Sequence, residues 1–210
     1  YKVINDLYYH IVELQEFIDL NVYYISHTSY ESILNVNELQ DVKNCYGSGR
    51  ECHHPGKFGV KDGRDFLDED IKQKCILNFS KDEKDIEIYL NYVNEFYKSC
   101  INTTIFTNTS NFNADCSAKI MLENNIPVDK INKCYNNSFN VTVENGKDIA
   151  DIKIHAQNIL LENDNNKKIE NMISFLPAIN VNNRNFWGSW TKDNIIEDIC
   201  AAFLKKPEIC

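Results

Sequence analysis

The sequence predicts an α/β domain, and three observations carry that expectation. Apolar residues recur at helical spacing along several long stretches between residues 1 and 172. Two short runs, 22–25 and 173–181, are rich in β-branched and aromatic residues and read as strands. Residues 173–203 then order themselves as apolar run, turn, second strand and amphipathic helix.

Taken in order, Val3, Leu7, Ile11, Leu14 and Ile18 line one face of a helix over residues 1–20, which Asn21 ends. Residues 22–25 form a buried strand. Ser26-His27-Thr28-Ser29 follow as a polar turn whose hydroxyls cap a short helix from Tyr30. From Asn44 to Asp65 the composition shifts to turn formers. Cys45 and Cys52 enclose Gly47 and Gly49, and His53-His54-Pro55-Gly56 and Asp62-Gly63 mark further bends. Helical pattern returns at 68–79 and 84–100, where Tyr89, Val93, Phe96, Tyr97 and Cys100 share a face. A polar loop at 103–113 leads to Asp115, read as the cap of a helix through Ile120, Met121 and Leu122. Pro127 breaks that helix, and a further turn runs from Val128 to Cys134. Residues 136–150 read as loop, and 151–172 as one helix around 156–161. Pro177 lies inside the run 173–181, Asn182-Asn183-Arg184 make a turn, and 185–190 return as a strand. Thr191 caps a terminal helix that turns Ile195, Ile196, Ile199, Cys200 and Phe203 inward and stops at Pro207. The expected organisation is one domain over 1–210, with a cysteine-rich loop at about 40–80 and a helical insertion at about 84–172.

Composition removes some functions. With 31 acidic residues against 22 basic ones, the net charge of −9 opposes nucleic-acid binding and basic docking on membranes. Eight cysteines (Cys45, Cys52, Cys75, Cys100, Cys116, Cys134, Cys200 and Cys210) are spread along the chain with no C-x-x-C pair. That excludes the usual zinc ribbon and dithiol motifs and points to disulfides in an oxidising compartment. Cys45 with Cys52 and Cys200 with Cys210 are the natural local closures, and the other four pair among the helices in an order the sequence leaves open. Sequons at Asn78, Asn102, Asn108, Asn136 and Asn140 fit the same compartment as possible N-glycosylation sites. No apolar run is long enough to span a bilayer, so any anchor is expected outside this segment, a processed luminal portion of a longer protein.

A proline inside an apolar strand, followed by a hairpin and a closing helix, resembles the C-terminal half of thioredoxin-like domains. The resemblance makes Pro177 a cis-proline opposite the active-site turn, with 22–25 the strand before that turn. A thiol oxidoreductase needs a low-pKa cysteine there, and Ser26-His27-Thr28-Ser29 has none. The expected domain is thus redox-dead, with no catalytic residues and no cofactor. Cys45, Cys52, His53 and His54 are a conceivable zinc set, but the disulfide reading is preferred and no metal is expected. His27 invites a pH switch, though a plain loop histidine is the simpler reading. Asp68-Glu69-Asp70 and Asp82-Glu83 read as solvated helix starts.

The most specific signal is the series Leu176-Pro177, Asn182-Asn183-Arg184, Gly188, Lys192, Ile199-Cys200-Ala201 and Phe203. Upstream stand Tyr92-Val93, Phe96 and Cys100, then Cys116, Pro127 and Lys130-Ile131-Asn132-Lys133-Cys134. Cys45, Gly49-Arg50, Cys52, Asp62-Gly63 and Cys75 complete it. Over residues 40–210 this pattern resembles the luminal central domain of the plant vacuolar sorting receptors. The resemblance implies a membrane cargo receptor with a protease-associated domain, this domain, EGF-like repeats, one span and a cytosolic tail. It carries over cysteines and fold, not ligand-binding residues. The chain departs from the pattern at His27-Thr28-Ser29 and at 39–43, where the family has further cysteines; its Cys100–Cys116 loop is longer and its Cys200–Cys210 segment shorter. The expected partners are protein or peptide cargo, in a Golgi, endosomal or vacuolar lumen. An adhesion or structural module at the cell surface, contacting neighbouring subunits through Trp187 and Trp190, is the alternative, and a degenerate isomerase-like chaperone is the third.

Overall fold

Helices dominate the computed structural model of the chain, which describes residues 2–27, 43–54, 62–101, 111–141, 149–187 and 189–210. In order they are α1 (Lys2–Leu14), α2 (Gly63–Asp82), α3 (Ile86–Phe96, continued by a π-helical turn Tyr97–Ile101), α4 (Ala114–Glu123), α5 (Val128–Asn137), α6 (Ile149–His155), α7 (Ile159–Glu170) and α8 (Lys192–Ala201). Two antiparallel ladders join them: β1 (Cys45–Tyr46) with β2 (Glu51–Cys52), and β3 (Asn180–Val181) with β4 (Arg184–Asn185). The domain is therefore α/β with very small sheets. None of the described helices is long and apolar enough to cross a membrane.

The core forms where the amphipathic faces of α1, α2 and α3 meet. Leu7 and Ile11 pack on Cys75, Ile76 and Leu77 and on Tyr89, Leu90, Tyr92, Val93 and Phe96, with Ile120, Met121, Ile131 and Ile195 closing the cluster. Each fully buried aliphatic side chain here contributes roughly 1.5–3 kcal/mol. A second cluster of Tyr46, Leu67, Ile71, Phe139, Ala156 and Leu161 seats the first ladder on α2 and α7.

Several elements differ from the sequence reading, each for a local reason. Helix α1 ends at Leu14 instead of continuing to 20, because the Leu14 carbonyl accepts from both Phe17 N (2.8 Å) and Ile18 N (3.1 Å) and tightens the turn. Residues 22–25 join no strand. Side chains satisfy their backbone: Lys74 Nζ donates to the Val22 carbonyl (2.8 Å), and Tyr24 N donates to Asp164 Oδ2 (2.9 Å). Helix α2 begins at Gly63, where Asn44 Oδ1 accepts from Gly63 N (2.8 Å) and the Lys43 carbonyl from Arg64 N (2.9 Å). The cap of α4 is Asn113, not Asp115. The single helix expected around 156–161 is two, α6 and α7, because Asn158 accepts from Leu160 N and Leu161 N and starts a new helix.

The closing hairpin turns through Asn182 and Asn183, whose φ values of 48° and 64° place both in the left-handed region of a type I′ turn. Its ladder is two residues long on each side, and Phe186 N to the Ile179 carbonyl (2.8 Å) extends it by one bond. Thr191 caps α8 through Asn194 N.

Candidate functional site

Cysteine chemistry comes first, because the empty turn at 26–29 raises it. The structure bonds Cys45 to Cys52, Cys75 to Cys134, Cys100 to Cys116 and Cys200 to Cys210, so every cysteine of the chain is oxidised. His27 sits beside the first of these: its backbone exchanges hydrogen bonds with Cys52 (2.9 and 2.7 Å), and its ring lies 5.9 Å from that of His54. Thr28, Ser29, Tyr30 and residues 39–42 lie outside the described residues. Cys45 and Cys52 are both buried, which shields their sulfurs from an attacking thiolate. The same bond removes the thiolates a zinc ion would need, and no three His, Cys, Asp or Glu groups converge among the described residues.

Segment 22–27 is fixed by a polar network from α2, α3 and α7. Lys74 and Asp164 form a buried ion pair (2.6 Å). Tyr24 Oη donates to Gln73 Oε1 (2.6 Å) and shares a hydrogen bond with the Tyr89 hydroxyl (2.7 Å). Gln73 Nε2 and Tyr92 Oη both donate to Glu69 Oε1, at 2.9 and 2.8 Å, and Asn165 Nδ2 donates to Ser26 Oγ (2.7 Å). Burial pushes the Glu69 carboxyl up, and it pushes Asp70 well above the usual range, helped by the charges of Glu69 and Asp164. Asp68-Glu69-Asp70 is therefore no solvated helix start. Because α2 begins at Gly63, Glu69 faces the interior, and Asp68 Oδ1 accepts from the hydroxyls of Tyr46 (2.5 Å) and Tyr135 (2.6 Å). These groups are occupied in holding elements together.

Glu51 is an exception within the first ladder. Its side chain is buried, Oε2 has no hydrogen-bond partner, and Gly47 (φ 60°) packs so close that a Cβ there would stand 2.4 Å from Oε2. Burial pushes its carboxyl up to about 7, against the pull of Arg50 and with a small push from Glu162. A raised folded pKa means the neutral acid fits the fold better than the carboxylate. The associated stability is full below about pH 4.5 and is lost as pH rises through about 7. Glu51→Gln is expected to unfold at the same urea concentration as the parent near pH 4, and to gain about 2–3 kcal/mol on it at pH 8.5. Parallel urea titrations that stay superimposed across this range would remove the assignment.

Large apolar side chains are exposed at Tyr9, Phe17, Leu122, Ile159, Ile169 and Leu204, and five more stand on the two arms of the closing hairpin. Met172 (81 % exposed), Phe175 (75 %) and Leu176 (45 %) lead in; Trp187 (79 %) and Trp190 (37 %) lead out. Pro177 follows a cis Leu176–Pro177 bond and is itself exposed. Asn185 Nδ2 donates to the Asn171 carbonyl (3.0 Å), tying the hairpin to the end of α7 and holding both arms at one end of the domain. Trp187 and Trp190 were legible as contact residues, whereas Phe175 and Leu176 read as part of a buried strand. The interrupting Ser174 and Pro177 were the available sign that this run does not enter a sheet.

Elsewhere, a recess of about 510 Å³ opens between the end of α1 and the α2–α3 turn, lined by Ile11, Ile18, Leu20, Lys81, Lys84 and Ile86. Of the sequons, Asn78, Asn136 and Asn140 are exposed, with Asn136 Oδ1 accepting from Lys153 Nζ (2.6 Å); Asn102 and Asn108 lie outside the described residues.

Fold and site together define a helix-rich α/β module whose eight cysteines are all disulfide-bonded and whose closing hairpin carries exposed apolar side chains. The chain belongs to the vacuolar sorting receptor thioredoxin-like domain family, whose model matches residues 9–200. It is 25% identical to vacuolar-sorting receptor 1 of Pisum sativum over 175 residues, covering 79% of this chain and 25% of that protein. Vacuolar-sorting receptor 6 of Arabidopsis thaliana is 24% identical and vacuolar-sorting receptor 7 of the same plant 21%, each over 184 residues, 83% of this chain and 26% of the relative. The chain thus spans about a quarter of the length of these relatives.

Proposed function

We propose that this chain is a redox-inactive, protein-binding domain of a vacuolar-sorting-receptor-like cargo receptor, working in the lumen of the secretory pathway. Its thioredoxin-like frame, with the helices at 84–172 as an insertion, serves as a scaffold and not as a thiol catalyst. The observation that carries the reading is the exposed apolar hairpin end. Large apolar surface on one patch of a soluble domain marks contact with a partner, and aromatic anchors such as Trp187 supply most of the energy in such contacts. Four disulfides fit an oxidising lumen, and the relatives are named as receptors for vacuolar sorting.

The test is selection of a random dodecapeptide phage library on the 210-residue chain. Selected peptides are expected to bind the parent and to lose at least roughly tenfold in affinity to Trp187→Ala or Phe175→Ala, as truncated anchor residues do. Both positions are exposed, so the variants keep the parent's unfolding midpoint. A selection that enriches nothing, or only peptides indifferent to both substitutions, ends the proposal.

A further inference from the structure

The stretch of sequence that forms the apolar hairpin end carries a charge opposite to that of the chain. The protein carries −9 overall, yet between Glu170 and Asp193 there is no carboxylate side chain, while Arg184 and Lys192 are both present. Both are exposed, and neither meets an acceptor among the described residues. Arg184 stands at the head of β4, directly across from Val181, and Lys192 opens α8 two residues after Trp190. Lys168, on the last turn of α7, adds a third charge with no ion-pair partner among the described residues, whereas the neighbouring Lys167 is paired with Glu170. Glu170 on one side and Asp193, in the first turn of α8, on the other are the carboxylates that bound this stretch in sequence.

From this juxtaposition we infer that the hairpin end recognises an apolar peptide segment flanked by acidic residues. Met172, Phe175, Leu176, Trp187 and Trp190 supply area for the apolar segment, and Arg184, Lys168 and Lys192 meet the flanking carboxylates. The rim charges act chiefly on association rate and partner choice, since exposed ion pairs add little energy singly. Arg184 offers a planar fork that can grip a carboxylate with two hydrogen bonds. Basic partners are turned away by the same cations. This inference rests on the reading of the hairpin end as a protein-binding surface and adds the chemistry of the partner.

The experiment uses the same random dodecapeptide library, sequenced before and after selection on the parent chain and on Arg184→Glu/Lys192→Glu. The parent is expected to enrich peptides in which Asp or Glu flanks an aliphatic or aromatic core. The double variant is expected to bind those peptides at least roughly tenfold less well and to enrich Lys- or Arg-flanked cores instead. Affinity of the parent for its acidic peptides falls as sodium chloride rises, because rim charges are screened within a Debye length. Arg184→Gln/Lys192→Gln, with smaller changes in charge, gives the same ordering if the reversal disturbs folding. Enrichment of apolar peptides with no acidic bias, all lost on Trp187→Ala, overturns this inference and leaves the protein-binding reading standing. Co-sedimentation of the parent with phosphatidylserine vesicles but not with phosphatidylcholine vesicles, lost in the double variant, overturns it in favour of a lipid surface. A dimer in sedimentation velocity that Trp187→Ala dissolves overturns it in favour of a second copy of the chain.

Discussion

Gly63→Ala is expected to destabilise the domain by at least about 3 kcal/mol, the cost of forcing backbone apart in a packed site. Gly63 is the first residue of α2 and is buried under the loop that carries the first ladder. A Cβ there would stand 2.0 Å from the His53 carbonyl oxygen and 2.8 Å from its carbon, with Asn44 Cα at 3.1 Å. These are main-chain atoms, so no side-chain rotation relieves the overlap. The backbone must separate, and separation breaks the Gly63 N to Asn44 Oδ1 bond that starts the helix. For a chain of 210 residues the loss corresponds to a fall in melting temperature of about 6–12 °C. Asn78→Ala, on an exposed position of the same helix, is the control and should shift it little. A melting curve for Gly63→Ala within 2 °C of the parent, taken as about 1 kcal/mol or less, would contradict the packing described.

The second large effect belongs to the Cys75–Cys134 bond. Its partners are 59 residues apart, against 10 for Cys200–Cys210. Chain-entropy arguments assign the longer closure about 4 kcal/mol and the shorter about 3. Cys75 is also buried in the main core between α2, α3 and α5, so Cys75→Ala/Cys134→Ala loses packing as well as closure. The expected result in urea is a loss of about 4–5 kcal/mol, with a steeper dependence on urea because the unfolded chain expands. Cys200→Ala/Cys210→Ala should lose about 3 kcal/mol or less. Equal losses for the two double variants would show that ordering of the unfolded chain is not what these bonds contribute.

The sequence exposed the bodies of the helices well, because apolar spacing directly reports a buried face. Of the expected face Tyr89, Val93, Phe96, Tyr97 and Cys100, all are buried except Tyr97, which is half-buried. Helix ends were less legible, since they depend on groups distant in sequence. The start of α2 is set by Asn44, nineteen positions away, and no local cap marks it. Residues 22–25 have a strand's composition but not its partners. Their fate was decided by Lys74 and Asp164, which lie on other elements. The candidate site was half legible. Tryptophans near a turn stand out in any sequence, whereas Phe175 and Leu176 look like core residues until the ladder beside them proves too short to cover them. Neither the buried Glu51, whose Oε2 has no hydrogen-bond partner, nor the buried Glu69 could be read from local pattern. Burial of a carboxylate is decided by what folds over it.

The nesting of two bonds has a consequence for the chain's integrity. Cys100–Cys116 lies inside the span closed by Cys75–Cys134. A single hydrolysed peptide bond anywhere between residues 75 and 134 therefore leaves one covalent molecule, because the outer bond still joins the two pieces. A cut between 100 and 116 is bridged twice. Helix α3, at the centre of the core, and α4 lie wholly within the span that Cys75–Cys134 closes. A protease that cuts once between residues 75 and 134 changes the molecule's termini without releasing any part of it.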